Sequence, residues 1–388
     1  MTVEIYDAAQ RRYAASTGVP VWRVAHALIR PRPDAVAVRE TGHRGQIVLA
    51  RRGGAPVTVS GGQALDALAV AGVVMDRDTP PQVFVADPAT VGILAGLARV
   101  HAGADDPMRA SAAEAVAWCT ERADFPGTSA LVDLTAVSAV ALVAGVPPSR
   151  DRIPATWHAW LDLPADRVAA TFAWADALAD RPAGLPELLD VVLTDDTESW
   201  ERRRAAVAGG WCHTLPEGLS HAAVGLRTRC DTADLWEAAL LSDPKWRRRA
   251  VHTGHVVVGT AERRTGVPGF LVTADRIDAR MSAGTEITGW AGDPDAETFG
   301  RFFTAVRSAA VVDGRLVLTC DKTARMPGHG DPVTLTVAPP NPSLHTSVRI
   351  NMWAKYKARG SWIARADTPT LSRRDVPLEV MIAAAEDE

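Results

Sequence analysis

Twice in this chain an apolar run ends in an aspartate and a helical pattern starts at once: "PQVFVADPATVGILAGLARVHAG", with Asp87 before Pro88, and "SALVDLTAVSAVALVAG", with Asp133. An aspartate can accept from the free amides of a helix's first turn, and proline is tolerated at the first helical position. Each segment therefore reads as a strand that delivers the chain straight into a capped helix. Upstream, "DAVAVRE", "GQIVLA" and "PVTVS" read as strands broken by "TGHRG" and "RRGGAP", and "GGQALDALAVAGVVM" reads as a helix. Residues 1–150 are accordingly expected to form an α/β region.

At 388 residues the chain is long enough for several domains of ordinary size. From 151 to 256 the texture becomes helical and rich in tryptophan. Trp157, Trp160, Trp174, Trp200, Trp211, Trp236 and Trp246 lie there, and Val168, Phe172, Ala175 and Ala179 recur on one helical face. Large rings at such spacing are expected in a core, where their burial stabilises without any ligand. From 257 to 388 the signal turns to β. "FFTAVRSAAVVDGRLVLTC" is two strands joined through Asp313-Gly314, a dipeptide suited to a type I′ hairpin. With "TEITGWAG" before it and "DPVTLTVAPP" after it, at least four strands are expected to close a small barrel, OB-like or SH3-like, followed by a basic helical tail. The fold class is α+β (or α/β), multidomain.

The formal net charge is -4, yet residues 346–374 carry seven cations against one anion, Asp367. That segment is +6 and the remainder of the chain is -10. Its cations Arg349, Lys355, Lys357, Arg359, Arg365, Arg373 and Arg374 are interleaved with Trp353, Tyr356 and Trp362. Phosphates attract such cations and bases stack on such rings, so the segment has the composition of a single-stranded nucleic-acid contact. A second cluster, Lys245, Trp246, Arg247, Arg248 and Arg249, points nearly all the way round a helix, so part of it must face another element or a bound anion. Of the 42 cations only four are lysine; an arginine excess beside plentiful Ala, Val, Gly and Pro is the mark of a GC-rich genome, which tempers any argument from arginine clusters. The spacing of Ala14, Gly18 and Val24 resembles that of a helix-turn-helix.

Other chemistry finds less support. Cys212, His213, His221, Cys230, His252 and His255 are enough donors for one zinc, but their spacings match no common finger or knuckle. Asp87 and Asp133 end strands at the position where α/β proteins place metal-binding carboxylates, and as a pair they suit a magnesium ion. The phosphate-cradling GxxxxGK[ST], the dinucleotide GxGxxG after a strand, GxSxG and HExxH are all absent. There is no CxxC pair, no secretory signal at the start and no uninterrupted apolar run of membrane-spanning length, so a reducing cytoplasm is expected.

The leading expectation is a non-catalytic nucleic-acid-binding protein, DNA or RNA, contacting its partner through the C-terminal third as part of a larger assembly, with no cofactor. The alternatives are a divalent-metal-dependent nuclease using Asp87 and Asp133, and a structural subunit that meets protein partners through tryptophan-bearing surfaces.

Overall fold

The computed structural model describes residues 5–338 other than 44, 183–186, 214–218, 267 and 297–299. The chain falls into two units; the first, Met1–Thr214 with Arg229–Pro342, contains every described element except the start of α9. The basic helical tail expected after the barrel lies outside the described residues.

The chain opens with α1 (Ile5–Thr17) and the two-residue strand β1 (Val21–Trp22). Next come β2 (Val36–Glu40), β3 (Gln46–Arg51), β4 (Val57–Ser60), α2 (Gly62–Val70), β5 (Val83–Val85), α3 (Pro88–Val100), α4 (Pro107–Arg122), β6 (Leu131–Asp133), α5 (Leu134–Ala141) and β7 (Leu142–Val143). Strands β2 to β6 make one sheet in the order β4-β3-β2-β5-β6. It is antiparallel across β4, β3 and β2 and parallel across β2, β5 and β6.

Both faces of this sheet are apolar because alternate residues point to opposite sides. Val36, Val38, Ile47, Leu49, Val83 and Val85 pack on one face with α2, α3, α4 and Trp200. Ala37, Ala50, Phe84 and Val132 pack on the other with Trp157, Phe172, Trp174 and Leu240. These last residues come from α6 (Pro154–Trp160), α7 (Arg167–Ala179) and α9 (Leu219–Leu241), while Trp200 lies on α8 (Glu187–Ala208). α6, α7 and α9 are thus the second cover of the sheet, while Trp200 of α8 joins the first.

Trp118, Trp157, Trp174 and Trp200 are fully buried. Each indole N–H still donates a hydrogen bond: to Ser199 Oγ (3.1 Å), Asp151 O (2.8 Å), Ser138 Oγ (2.8 Å) and Arg77 O (2.9 Å) respectively. A large ring can be sunk this deeply only if its N–H finds such an acceptor. Between α4 and α8, buried Arg122 donates to Asp196 (2.7 Å) and Asp195 (3.0 Å), and Ser129 N also donates to Asp196 (2.7 Å). Burial nonetheless holds the Asp196 carboxyl above its ordinary pKa.

The helix-turn-helix expectation is corrected. α1 closes at Gly18, whose N–H donates to Ala14 O (2.8 Å) and whose φ is 71°, but no second helix follows. The chain instead enters β1, which pairs with β7, and Val24 is buried as core.

The last region begins with α10 (Pro244–His252) and continues into β8 (Val256–Glu262), β9 (Phe270–Ala274), β10 (Glu286–Ala291), β11 (Phe302–Val312), β12 (Arg315–Cys320) and β13 (Pro332–Val337). These six strands close a barrel in the order β10-β11-β12-β9-β8-β13, all neighbours antiparallel. An OB barrel has five strands, so this barrel is not of that kind. Asp313 and Gly314 turn between β11 and β12 with φ of 50° and 70°, as a type I′ hairpin demands. Phe270, Ile287, Phe302, Leu318 and Leu335 fill the interior.

Gly289 on β10 makes room for that filling. A Cβ there would lie 2.4 Å from the Phe302 ring and 2.7 Å from Leu335. Gly289→Ala is therefore expected to destabilise the barrel by about 1–3 kcal/mol, the usual effect of overpacking. Chemical denaturation monitored by fluorescence checks this; an unchanged midpoint would show that the barrel core has slack.

Candidate functional site

In sheets with parallel strands, ligands gather outside the carboxyl ends of the strands, where neighbouring connections depart to opposite faces. This chain has such a point between β5 and β6. After β5 it turns into α3 on the Val83 and Val85 face, and after β6 into α5 on the Phe84 and Val132 face. Asp87 and Asp133 stand at the two departures.

Both aspartates are helix caps. Asp87 Oδ1 accepts from Thr90 N (3.0 Å) and Thr90 Oγ1 (3.3 Å), and Asp133 Oδ1 accepts from Thr135 N (2.9 Å) and Ala136 N (3.1 Å). In each case the cap uses Oδ1. Thr135 Oγ1 donates to Ala86 O, tying the two strand ends together. Burial pushes the Asp133 carboxyl up to about 6, and the charge of Asp87 adds to the shift against the helix amides that oppose it. The Asp87 carboxylate thus stands close enough to disfavour ionisation of Asp133.

Sequence reasoning missed the basic groups around them. Arg39 on β2 approaches His158 on α6, with Nη1 and Nε2 2.8 Å apart. Burial lowers the Arg39 pKa, with Arg167 adding to the effect and Asp87 opposing it; burial and Arg39 lower that of His158. Arg167, at the start of α7, donates to Glu40 O (2.9 Å). The signal was available in "VAVRE", where an arginine interrupts an apolar alternation at the end of a strand.

The Lys245–Arg249 cluster occupies α10, where the structure turns much of it inward. Asp243 caps the helix with Oδ1, accepting from Lys245 N (2.9 Å) and Trp246 N (3.2 Å), while its Oδ2 accepts from Ala25 N (2.6 Å). Arg247 is buried: it donates to Pro294 O (2.5 Å) and Ser242 O (2.9 Å) and lies over the Trp290 ring at 5.2 Å. Arg248 pairs with Asp295. Arg249 lies 4.0 Å from Asp7 and 4.9 Å over the Trp246 ring, and Trp246, half-buried, packs against the core. Lys245 is exposed.

Among the described residues no three of His, Cys, Asp or Glu stand where they could hold a metal ion together. His213 sits 3.4 Å from Glu121, His252 is stacked on Tyr6 and His255 pairs with Glu237; Cys212 is half-buried and Cys230 exposed. The side chain of His221 lies outside the described residues. Two hollows flank the joint between α10 and the barrel. One of about 250 Å³ is lined by His252, Val256, Asp275 and Asp278, and one of about 330 Å³ by Glu237, Leu241, His255 and Arg280. Of the seven tryptophans in 151–256, only Trp211 is exposed, and Arg203 lies 4.5 Å over its ring. Arg349, Trp353, Lys355, Tyr356, Lys357, Arg359, Trp362, Arg365, Arg373 and Arg374 lie outside the described residues. Among the described residues no helix is long and apolar enough to cross a membrane.

No family model, curated protein or solved structure matches this chain. The strand-end aspartates therefore inherit no ligand from a relative.

Asp133 supplies a test. Its folded pKa lies above the unfolded value, so its charge weakens the fold above about pH 6, and that penalty is relieved as pH falls from 6 towards 4. Asp133→Asn keeps a capping oxygen and removes the charge. At pH 7 it should stabilise by about 1–2 kcal/mol, after allowance for solvent screening, and the gain should vanish near pH 4. Thermal melts of both proteins across this range check the sign; a variant less stable at pH 7 contradicts the environment described.

Proposed function

We propose that this protein binds nucleic acid through its C-terminal third and that the contact is made by residues 346–374. The observation that carries this reading is the segregation of charge: +6 in those residues, interleaved with three aromatic rings, against -10 in all the rest. An acidic body repels a polyanion, so a basic strip attached to it decides where one can dock. What supports assigning the contact to that strip, and not to α10, is the inward engagement of Arg247 and the pairing of Arg248 with Asp295.

The test is fluorescence anisotropy with single-stranded DNA and RNA. Affinity should fall steeply with salt, and the triple variant Lys355→Glu, Lys357→Glu and Arg359→Glu should lose at least tenfold in affinity, while Lys245→Glu changes it little. Unchanged binding by the triple variant would remove the proposal.

A second reading, a divalent-metal-dependent phosphodiesterase, is favoured by one observation: the Asp87 and Asp133 pair at the divergence of β5 and β6, with Arg39 beside it. Magnesium is commonly held by one or two carboxylates together with water and substrate phosphate, so two aspartates suffice. Incubation with labelled single strands, with magnesium or with EDTA, separates the readings. Metal-dependent cleavage lost in Asp133→Asn favours the enzyme; binding without cleavage favours the first reading.

A further inference from the structure

Strand β11 is longer than the barrel needs. Residues 302–305 pair with β10, but Ser308 to Val312 pair only with β12, on the other side. A bulge between Val306 and Ser308 marks where the hairpin leaves the barrel wall, and β12 pairs with β9 only from Val317 onward. The tip is therefore a two-stranded arm. Residues 307–315 are all exposed, Val311 at 57% and Val312 at 50%. Among the described residues no backbone group bonds to the outer side of Ser308–Val312.

The direction of the unused groups is set by the turn. In a two-residue hairpin the closing residues, here Val312 and Arg315, exchange both hydrogen bonds, and the pattern alternates from there. Val312, Ala310 and Ser308 turn their N–H and C=O towards β12, so Ala309 and Val311 turn theirs to the open side. Protected edges carry lysine, proline or a bulge. "SAAVV" has neither residue, and its bulge stands at the base of the arm.

We infer that this edge is the docking surface for a second copy of the chain, the two β11 arms pairing antiparallel about a two-fold axis at Ala310. The axis is selected by charge and by hydrogen-bonding parity. With Ala310 opposite itself, Ala309 of one arm meets Val311 of the other, which are the residues whose backbone groups are unused. The same register sets Arg307 across from Asp313 at each end of the ladder. Arg307 uses Nε and Nη2 on Asp321, so its Nη1 is available to Asp313 of the copy. Each face then pairs small and β-branched side chains, and the contact is isologous, so it closes at two copies and does not propagate. Ala310 becomes a non-hydrogen-bonded pair, in which the Cα atoms stand closest. This inference is independent of any nucleic-acid contact.

Two substitutions test it on the full chain. Val311→Pro deletes one outward N–H and leaves the β12 ladder intact, a position where a strand tolerates proline. Sedimentation velocity should show a dimer for the parent protein and a monomer for this variant. Ala310→Cys places two thiols across the axis within disulfide reach. On a non-reducing gel under mild oxidation it should cross-link to a dimer several-fold more than the parent, with its own four cysteines, or than Val312→Cys, which faces Ser308 of the copy. A parent that sediments as a monomer at every concentration overturns the inference. So does a Val311→Pro protein that remains dimeric, or an Ala310→Cys protein that cross-links no better than Val312→Cys.

Discussion

A sheet whose residues are apolar on both sides must be covered twice, and most of this architecture comes from that requirement. β5 shows it in three residues: Val83 and Val85 face α3 and α4, and Phe84 faces α7. To supply both covers, the chain leaves β5 on one side and β6 on the other. That divergence places Asp87 and Asp133 at neighbouring strand ends, where burial pushes the Asp133 carboxyl up to about 6. Trp157 and Trp174 of the later helices complete the second cover, each ring secured by a hydrogen bond from its nitrogen.

Charge is distributed by the same logic of burial. Arg122 sits among Asp195, Asp196 and the Thr128–Ser129 turn, and Arg247 sits among backbone carbonyls between α10 and the barrel. A guanidinium taken out of water needs its donors filled, and these sites fill them from the protein itself. A group so engaged is a poor contact for an external phosphate. This is why a helix with four cations in five residues contributes to the joint with the barrel, and why the functional reading moves to residues 346–374.

Local structure is legible in the sequence where one residue decides it. Asp87 and Asp133 announce helix starts, Asp313-Gly314 announces a hairpin, and the alternation in "DAVAVRE" announces a strand; each is present. Long-range arrangement is not legible in this way. The spacing around Gly18 suits a join between two helices, yet the residues beyond it are drawn to β7, more than a hundred positions on. Only four of the six barrel strands stand out individually, since β8 and β9 lie in "VVVGTAERRTGVPGFLVTA", where apolar runs are short. The strand-end site is half visible: its acids lie at strand ends and declare themselves, whereas Arg39 and His158 meet only through packing of β2 against α6.

The inward engagement of Arg247 and the pairing of Arg248 with Asp295 support the proposal that nucleic acid is contacted by residues 346–374 and not by α10. Hydrogen–deuterium exchange of the full chain, with and without a single-stranded oligonucleotide, tests it most directly. Protection confined to peptides within 346–374, with α10 and the ends of β5 and β6 unchanged, is the expected result. Protection centred on α10 or around Asp87 and Asp133, with none in 346–374, would contradict it.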